Sequence, residues 1–516
     1  MDPAAAAPGG ARTERPVRHG AVLSVTCLAL ATVVAAMASL NVALPDIARE
    51  THAGQTDLSW IIAAYSLVFA SLLLFAGTLG DRFGRRRALL GGLTLFAAAS
   101  LAATFTTHPG ALIALRAVMG LAAAFVMPAT LSTITSTFPR EQRARAVSVW
   151  AAVAGAGAVI GLLAAGAALE AWSWRSVFWL NVVLAGIALA GTLAVVPESA
   201  EPGRRRIDLV GAALTVAGLG ALVYSVIEAP DHGWGAPRTL AGIGIGLVVL
   251  AGFVVWELRR ADPLLDPRLF RHPHLSAGAL SVALEFFGFF GFTFVLMQYL
   301  QLVRGDSALV AAVSVLPMAA VMIPSTRLSP VLTARYGARG PWVLGLLAVA
   351  AGLAVLALLD ADSAYGHLPA GLLPLGVGMG LAMTPATAAI TDTLPARLQN
   401  VGSAVNDLSR ELGSALGIAV LSSVLASTYR TDLVVSGLPA PVAATARSSL
   451  AAAYALGDPA LIARARDAFV SGMRLALLTG AAAAVLAALA VAFLLRHRAG
   501  KAGRAEGTGP GRPLSR

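Results

Sequence analysis

The chain holds one cysteine among its 516 residues. That cysteine, Cys27, excludes an intrachain disulfide and any cysteine-based metal site. It lies inside an apolar run and reads as a small packing residue. Charge is scarce too: 13% of residues are charged, about half the roughly 25% of a soluble domain. Lysine is nearly missing, with Lys501 alone, so arginine carries the net charge of +11. Those arginines sit in short clusters between apolar runs and form no continuous basic face, which argues against a nucleic-acid partner. The eight histidines fall in expected loops or tails, and no nucleophile–base or metal-ligand spacing appears. No enzyme, cofactor or metal is expected on that basis. Arginine in place of lysine, with abundant Ala and Gly, suggests a GC-rich bacterial genome.

What is present is apolar length. Hydrophobic residues make up 57% of the chain and the mean hydropathy is +0.76. Runs of about 20 apolar residues, enough to cross a bilayer, follow one another from Ala21 to Leu495. The runs predict an all-α polytopic protein with the lipid bilayer as solvent. Helices are expected at 20–44, 57–79, 88–106, 110–132, 144–168, 174–196, 208–229, 237–256, 275–302, 308–329, 340–360, 366–391, 401–427 and 469–495. Ala36-Met37-Ala38 resembles a signal cleavage site, but the run is too long for a signal peptide and reads as a retained first helix. Residues 1–19 and 496–516 read as disordered tails.

The loops test this count. Arg82 with Arg85–Arg87, Arg140 with Arg143 and Arg145, Arg204–Arg206, Arg259 with Arg260, Arg268 and Arg271, and Arg335 with Arg339 all fall on one side. The opposite loops Thr106–Pro109, Glu170–Trp174 and Asp360–His367 are poor in arginine. Positive charge marks the cytoplasmic side, so both termini are expected there, in a bacterial cytoplasmic membrane. The one long outer segment, 428–468, is expected to hold a short helical excursion around Pro441–Ala455.

An internal repeat is visible. Gly77–Arg87 after helix 2 is echoed by Pro330–Arg339 after helix 10, aligning Arg82 with Arg335 and Gly84 with Gly337. Two six-helix halves, 20–196 and 275–495, with helices 7 and 8 inserted in 197–274, account for the spacing.

The Gly77–Arg87 loop resembles the signature loop of the major facilitator superfamily. Gly77 and Gly84 permit tight turns. Asp81 can accept from helix N-termini or from an arginine of the facing half. Further motifs resemble the 14-helix drug:proton antiporters within that superfamily. They are Asn41-Val-Ala-Leu-Pro45, Trp60-Ile-Ile-Ala-Ala-Tyr65, Leu112–Gly120 around Arg116, Trp174–Asn181, Gln298-Tyr-Leu-Gln301 and Asn406–Gly413. The resemblance implies a major facilitator fold and a monomer. It implies export of drug-like amphiphiles, or of an endogenous antibiotic or secondary metabolite, in exchange for protons. It points to Asn41, Tyr65 and Gln298 at the substrate cavity, and to Gly77, Asp81, Arg82, Gly84 and Arg335 in gating.

Two departures bear on coupling. The family's helix 1 carries an Asp five residues before the motif Asn, where this chain has Ala36. Its helix 5 motif reads Gly-Pro-x-x-Gly-Gly, where this chain has Gly161-Leu162-Leu163-Ala164-Ala165-Gly166. An uncoupled or differently coupled permease therefore stands as the alternative. A membrane sensor or scaffold without transport is a third reading, which leaves the buried charges without a purpose.

Those charges are informative because an ionisable group at the bilayer centre costs about 2.5–3.5 kcal/mol on insertion scales. Arg116 lies roughly 9 Å into helix 4. Glu285 lies about ten residues into helix 9, roughly 15 Å deep, with no basic residue within a turn. Such a site works against the charged carboxylate and makes Glu285 the leading proton carrier, with Arg116 shaping its cycle. Glu285 is expected to face the central cavity, with Phe289 and Phe292 on the same face. Asp407, Arg410 and Glu411 form a neutralised set on helix 13, read mainly as gating.

Overall fold

A computed structural model describes residues 19–200, 207–394 and 399–495. The tails, except for His19, and the Arg204–Arg206 cluster lie outside the described residues. Fourteen helices are long and apolar enough to span a membrane. They are α1 His19–Thr51, α2 Gln55–Phe83, α3 Arg85–Phe105, α4 Pro109–Thr137, α5 Glu141–Ala171, α6 Arg175–Val195 and α7 Leu209–Ile227. There follow α8 Pro237–Arg259, α9 Pro273–Val303, α10 Ala308–Tyr336, α11 Arg339–Leu356, α12 His367–Asp392, α13 Val401–Asp432 and α14 Pro459–Leu494. The shortest has 18 residues, which at about 1.5 Å per residue matches the hydrocarbon thickness. No strand occurs among the described residues. An even number of spans returns the chain to the side it left. That side, with the Arg82–Arg87 turn, is called the terminal face and the other the distal face.

Several helices outrun their apolar cores. The Asn41–Pro45 motif was expected to close α1, yet the helix continues through Pro45 to Thr51. Helix α14 begins ten residues before its apolar run, because Arg464 and Arg466 depress hydropathy without stopping a helix. Arg464 bonds the carbonyl of Val434 at 3.1 Å and Arg466 that of Ala361 at 3.3 Å. Backbone carbonyls thus take up charges that composition alone reads as loop. Between α13 and α14 lie two short helices, Ala440–Ser448 and Leu450–Ala455.

Packing partners repeat through the chain. Within the first six spans α1 packs on α5, α2 on α4, and α3 on α4 and α6. Eight helices later the pattern returns: α9 on α13, α10 on α12, and α11 on α12 and α14. Small residues permit these approaches. A Cβ at Gly417 of α13 would stand 2.2 Å from the carbonyl oxygen of Phe287 in α9, and one at Gly413 would stand 2.0 Å from that of Ala283. The packing of α1–α6 thus recurs in α9–α14, the first and second halves below.

Helices α7 and α8 pack on each other, and α7 lies against α2 and α13. Asp208 fixes their terminal end. It accepts from Gly211 N at 2.9 Å and Trp256 Nε1 at 3.0 Å, and pairs with Arg260 at 3.2 Å. The outer face of α8 exposes Leu240, Ile245, Leu247 and Val248, a surface suited to lipid rather than water.

Candidate functional site

The two halves meet at the distal face. Gln301 of α9 donates to the carbonyl of Val42 in α1 at 2.9 Å. Glu170, at the end of α5, accepts from Leu309 N of α10 at 3.3 Å. Beside it Gly166 lets α5 and α10 touch, since a Cβ there would lie 2.9 Å from that of Ala312. The α7–α8 turn closes the same end. Asp231 accepts from Thr56 of α2 at 2.6 Å and forms an ion pair with Arg430 of α13. Glu228 accepts from Trp60 at 2.9 Å, and Ser423 of α13 donates to the Val226 carbonyl at 2.7 Å.

Toward the terminal face the halves part. A cavity of about 550 Å³ lies between Gly77, Asp81 and Arg82 of α2, Pro128 and Ser132 of α4, and Ser403 and Asp407 of α13. Residues of both halves line one space, and its volume is that of a drug-sized ligand site.

The signature loop stands at its rim. Gly84 joins α2 to α3 at φ 117°, and a Cβ there would lie 2.6 Å from the Glu198 carboxylate. Asp81 was expected to reach a helix N-terminus or the facing half. It pairs with Arg85, one turn on at the start of α3, at 2.9 Å. Glu198 accepts from Arg86 N at 3.2 Å and lies 3.7 Å from Arg87. These contacts join α2, α3 and the segment just after α6, and none of them reaches the second half. Arg335, the repeat's counterpart of Arg82, is exposed and lies over the Tyr336 ring at 5.4 Å.

Arg116 is 1% exposed. Its Nε donates to the Ile61 carbonyl at 3.0 Å and Nη1 to the Ala36 carbonyl at 3.3 Å. Its guanidinium lies 4.4 Å from the Tyr65 ring centroid, a cation–π geometry. Nη2 has no partner. Tyr65 donates to the Val33 carbonyl at 3.0 Å. The guanidinium thus leans on the backbone of Ala36, the very position where the resembling family carries an acid.

Glu285 is also 1% exposed, but it is not among the residues lining the cavity between the halves. It packs inside the second half. Its Oε1 accepts from Ser281 at 2.9 Å, and Ser281 accepts from the Trp342 indole of α11 at 2.8 Å. Oε2 has no partner. Phe292 is fully buried and Phe289 partly so, their rings 5.8 Å apart. Asn41 and Gln298 are buried and bond their own helices, Asn41 to Ala38 at 3.1 Å and Gln298 to Phe294 at 3.3 Å. On α13, Asp407 faces the cavity. Arg410 lies 4.0 Å from Asp407 and 4.6 Å from the Phe286 ring centroid. Glu411 is buried with Oε2 unpartnered.

Sequence reasoning passed over Ser281, Trp342 and Asp231. Ser281 lies four residues before Glu285, a spacing that puts it on the same helix face. Trp342 and Asp231 had no local signal, because their partners are remote in sequence.

Two repeated halves, sealed at one face and parted at the other around a shared cavity, define a membrane carrier of the alternating-access kind. The chain belongs to the Major Facilitator Superfamily, whose profile matches residues 26–418. It is a transporter and not an enzyme. It is 34% identical over 479 residues to the multidrug resistance protein Stp of Mycobacterium tuberculosis, covering 89% of this chain and 88% of that one. It is 33% identical over 413 residues to the tetracenomycin C resistance and export protein of Streptomyces glaucescens, covering 80% of this chain and 76% of that one. Its fold matches the crystal structure of a bacterial homologue of the human lysosomal transporter Spinster, with TM-score 0.64 at 18% identity, over 94% of this chain and 98% of that one.

Proposed function

We propose that this carrier exports drug-like amphiphilic molecules, or an antibiotic or other secondary metabolite of its own cell, in exchange for protons. The observation that carries the reading is the cavity of about 550 Å³ between the halves, open toward the arginine-rich face. Relatives named for multidrug resistance and for tetracenomycin C export support the substrate class. The arginine bias supports a bacterial cytoplasmic membrane with the terminal face and both termini in the cytoplasm. A substrate would then enter from the cytoplasm or inner leaflet and leave after the halves rock about the midplane. The functional units are the halves 20–196 and 275–495, with 197–274 bracing them, and the carrier works as a monomer.

For coupling, Glu285 is a buried carboxylate of the second half with no ion pair among the described residues, and Arg116 is its counterpart in the first half. Asn41, Tyr65, Phe289, Phe292 and Gln298 contribute to the substrate path as the halves move. Gly77, Asp81, Arg82, Gly84, Arg335, Asp407, Arg410 and Glu411 bias the access states. Ala36 favours a second reading, in which the carrier is uncoupled or uses another ion, because Arg116 there meets a carbonyl rather than a carboxylate.

Inside-out membrane vesicles test both readings. With an acidic lumen, a fluorescent amphiphile should accumulate, and its addition should draw down the pH gradient. Accumulation that ignores the gradient would favour the uncoupled permease. No accumulation across a broad substrate panel would contradict export.

A further inference from the structure

A second cavity, of about 600 Å³, lies between helices of the second half and the His272–His274 stretch that leads into it. It opens at the terminal face between the start of α9 (His272, His274), the start of α11 (Trp342) and the end of α12 (Ala388, Asp392, Thr393). It shares no lining residue with the cavity between the halves. One of its walls is Trp342, whose indole N–H bonds Ser281, which in turn donates to Glu285. The cavity, the indole, the hydroxyl and the carboxylate thus form one continuous file.

We infer that this cavity is a proton vestibule, through which water reaches Glu285 from the terminal face by a route separate from the substrate's. The inference rests on the reading of Glu285 as the proton carrier. Glu285 lies twelve residues into α9, about 18 Å from its start, too deep to exchange with bulk water unaided. Its Oε2 is unpartnered while almost wholly buried. A buried carboxyl group left with an open oxygen is costly, and a water admitted from the vestibule would relieve that cost. The mouth carries protonatable groups in His272, His274 and Asp392.

The surroundings of Glu285 leave few rivals. The apolar cluster about Trp342 supplies Leu346 from α11, Ala382 and Ala386 from α12, and Ala487 and Val491 from α14. The charged groups nearby are on α13: Asp407, Arg410 and Glu411, with Arg410 lying over the ring of Phe286. Among the described residues no ion pair to Glu285 occurs; Ser281 is its hydrogen-bonded neighbour. On the terminal side the carboxyl O–H breaks and its proton passes to a vestibule water as hydronium; the carboxylate left behind takes its next proton from the distal side once the halves have rocked. Trp342 is the gate: turning its indole gives up one hydrogen bond and joins the cavity to Ser281. Drug and proton then use different doors on the same face.

The test places a thiol at position 285 in a Cys27→Ser background. The full chain, in vesicles that expose the terminal face, is treated with a small charged methanethiosulfonate. Ala388→Phe fills the inner vestibule and should slow labelling of Glu285→Cys by about tenfold or more. Ala404→Phe fills the cavity between the halves and should change it by less than about twofold. Trp342→Ala should speed it. Labelling slowed by Ala404→Phe and not by Ala388→Phe, labelling blind to both, or no labelling even with Trp342→Ala would each overturn the route.

A second measurement guards against misfolding. Thr393→Cys, with Glu285 intact, is reacted after folding with a bulky thiol reagent. Proton flux should fall several-fold while substrate binding holds, and unchanged flux would overturn the vestibule. If Glu285→Gln itself keeps proton exchange, the carrier assignment fails, whatever the labelling shows.

Discussion

Arg116 donates from Nη1 to the backbone carbonyl of Ala36, 3.3 Å away. The side chain of Ala36 is a methyl group, so the guanidinium takes its acceptors from carbonyls of α1 and α2. Ala36→Asp would set a carboxylate within reach of Arg116 and give the first half a titratable acid. The number of protons moved per substrate should rise, or preference should shift toward cationic substrates. Parallel pH-dye and substrate-flux records in proteoliposomes would detect either. If neither changes, Arg116 is a structural tie between helices.

The α9–α13 crossing should tolerate nothing larger than glycine. A Cβ at Gly417 would stand 2.2 Å from the carbonyl oxygen of Phe287. Gly417→Val should therefore force the helices apart, at about 1–3 kcal/mol or more, the usual range for overpacking. Loss of monodisperse protein at a lower temperature than the parent, in detergent, is the expected sign. A parental melting temperature would contradict this packing.

The α7–α8 turn braces the closed distal face through Asp231, which holds Thr56 of one half and Arg430 of the other. Both charged groups are partly exposed, so the pair is worth about 1 kcal/mol or less. Asp231→Asn should shift the population toward the outward-open state by up to roughly fivefold. Spin-label distances across the distal face would report it as a growing long-distance component. An unchanged distribution would mean that Gln301 and Gly166 suffice to close this end.

Much of this was legible in the sequence because bilayer hydropathy is a strong, local signal. The fourteen spans, the repeat and the burial of Arg116 and Glu285 follow from run lengths and rare charges. Facing was not legible. Glu285, Phe289 and Phe292 share a helix face, yet periodicity cannot say which neighbour that face meets; Glu285 bonds Ser281, itself held by Trp342, and does not line the cavity between the halves. Asp81 was read as an acceptor for helix N-termini or for an arginine of the facing half, yet the side chain it pairs with is Arg85 of its own loop. The start of α14 was misplaced because Arg464 and Arg466 find carbonyl acceptors outside the apolar slab.

Asp81 and Arg85 form an i,i+4 pair across the Gly84 turn, at the rim of the cavity between the halves. Asp81→Asn should free this turn and change the balance of access states without altering the cavity walls deeper in. Turnover should fall more than substrate affinity does. Equilibrium binding set beside transport rates separates the two. Normal turnover at normal expression would leave the loop with a topological role alone.

The proposed proton coupling depends most on Glu285. Glu285→Gln keeps the shape and an oxygen to accept from Ser281, but removes the proton-carrying group. The direct measurement is substrate efflux from proteoliposomes under an imposed pH gradient, with a pH dye reading proton movement. The account predicts that Glu285→Gln abolishes proton-driven efflux and the matching dye signal, while neutral substrates still bind. Parental exchange of protons for substrate by the Glu285→Gln protein would contradict it and pass the role to Asp407 and Glu411.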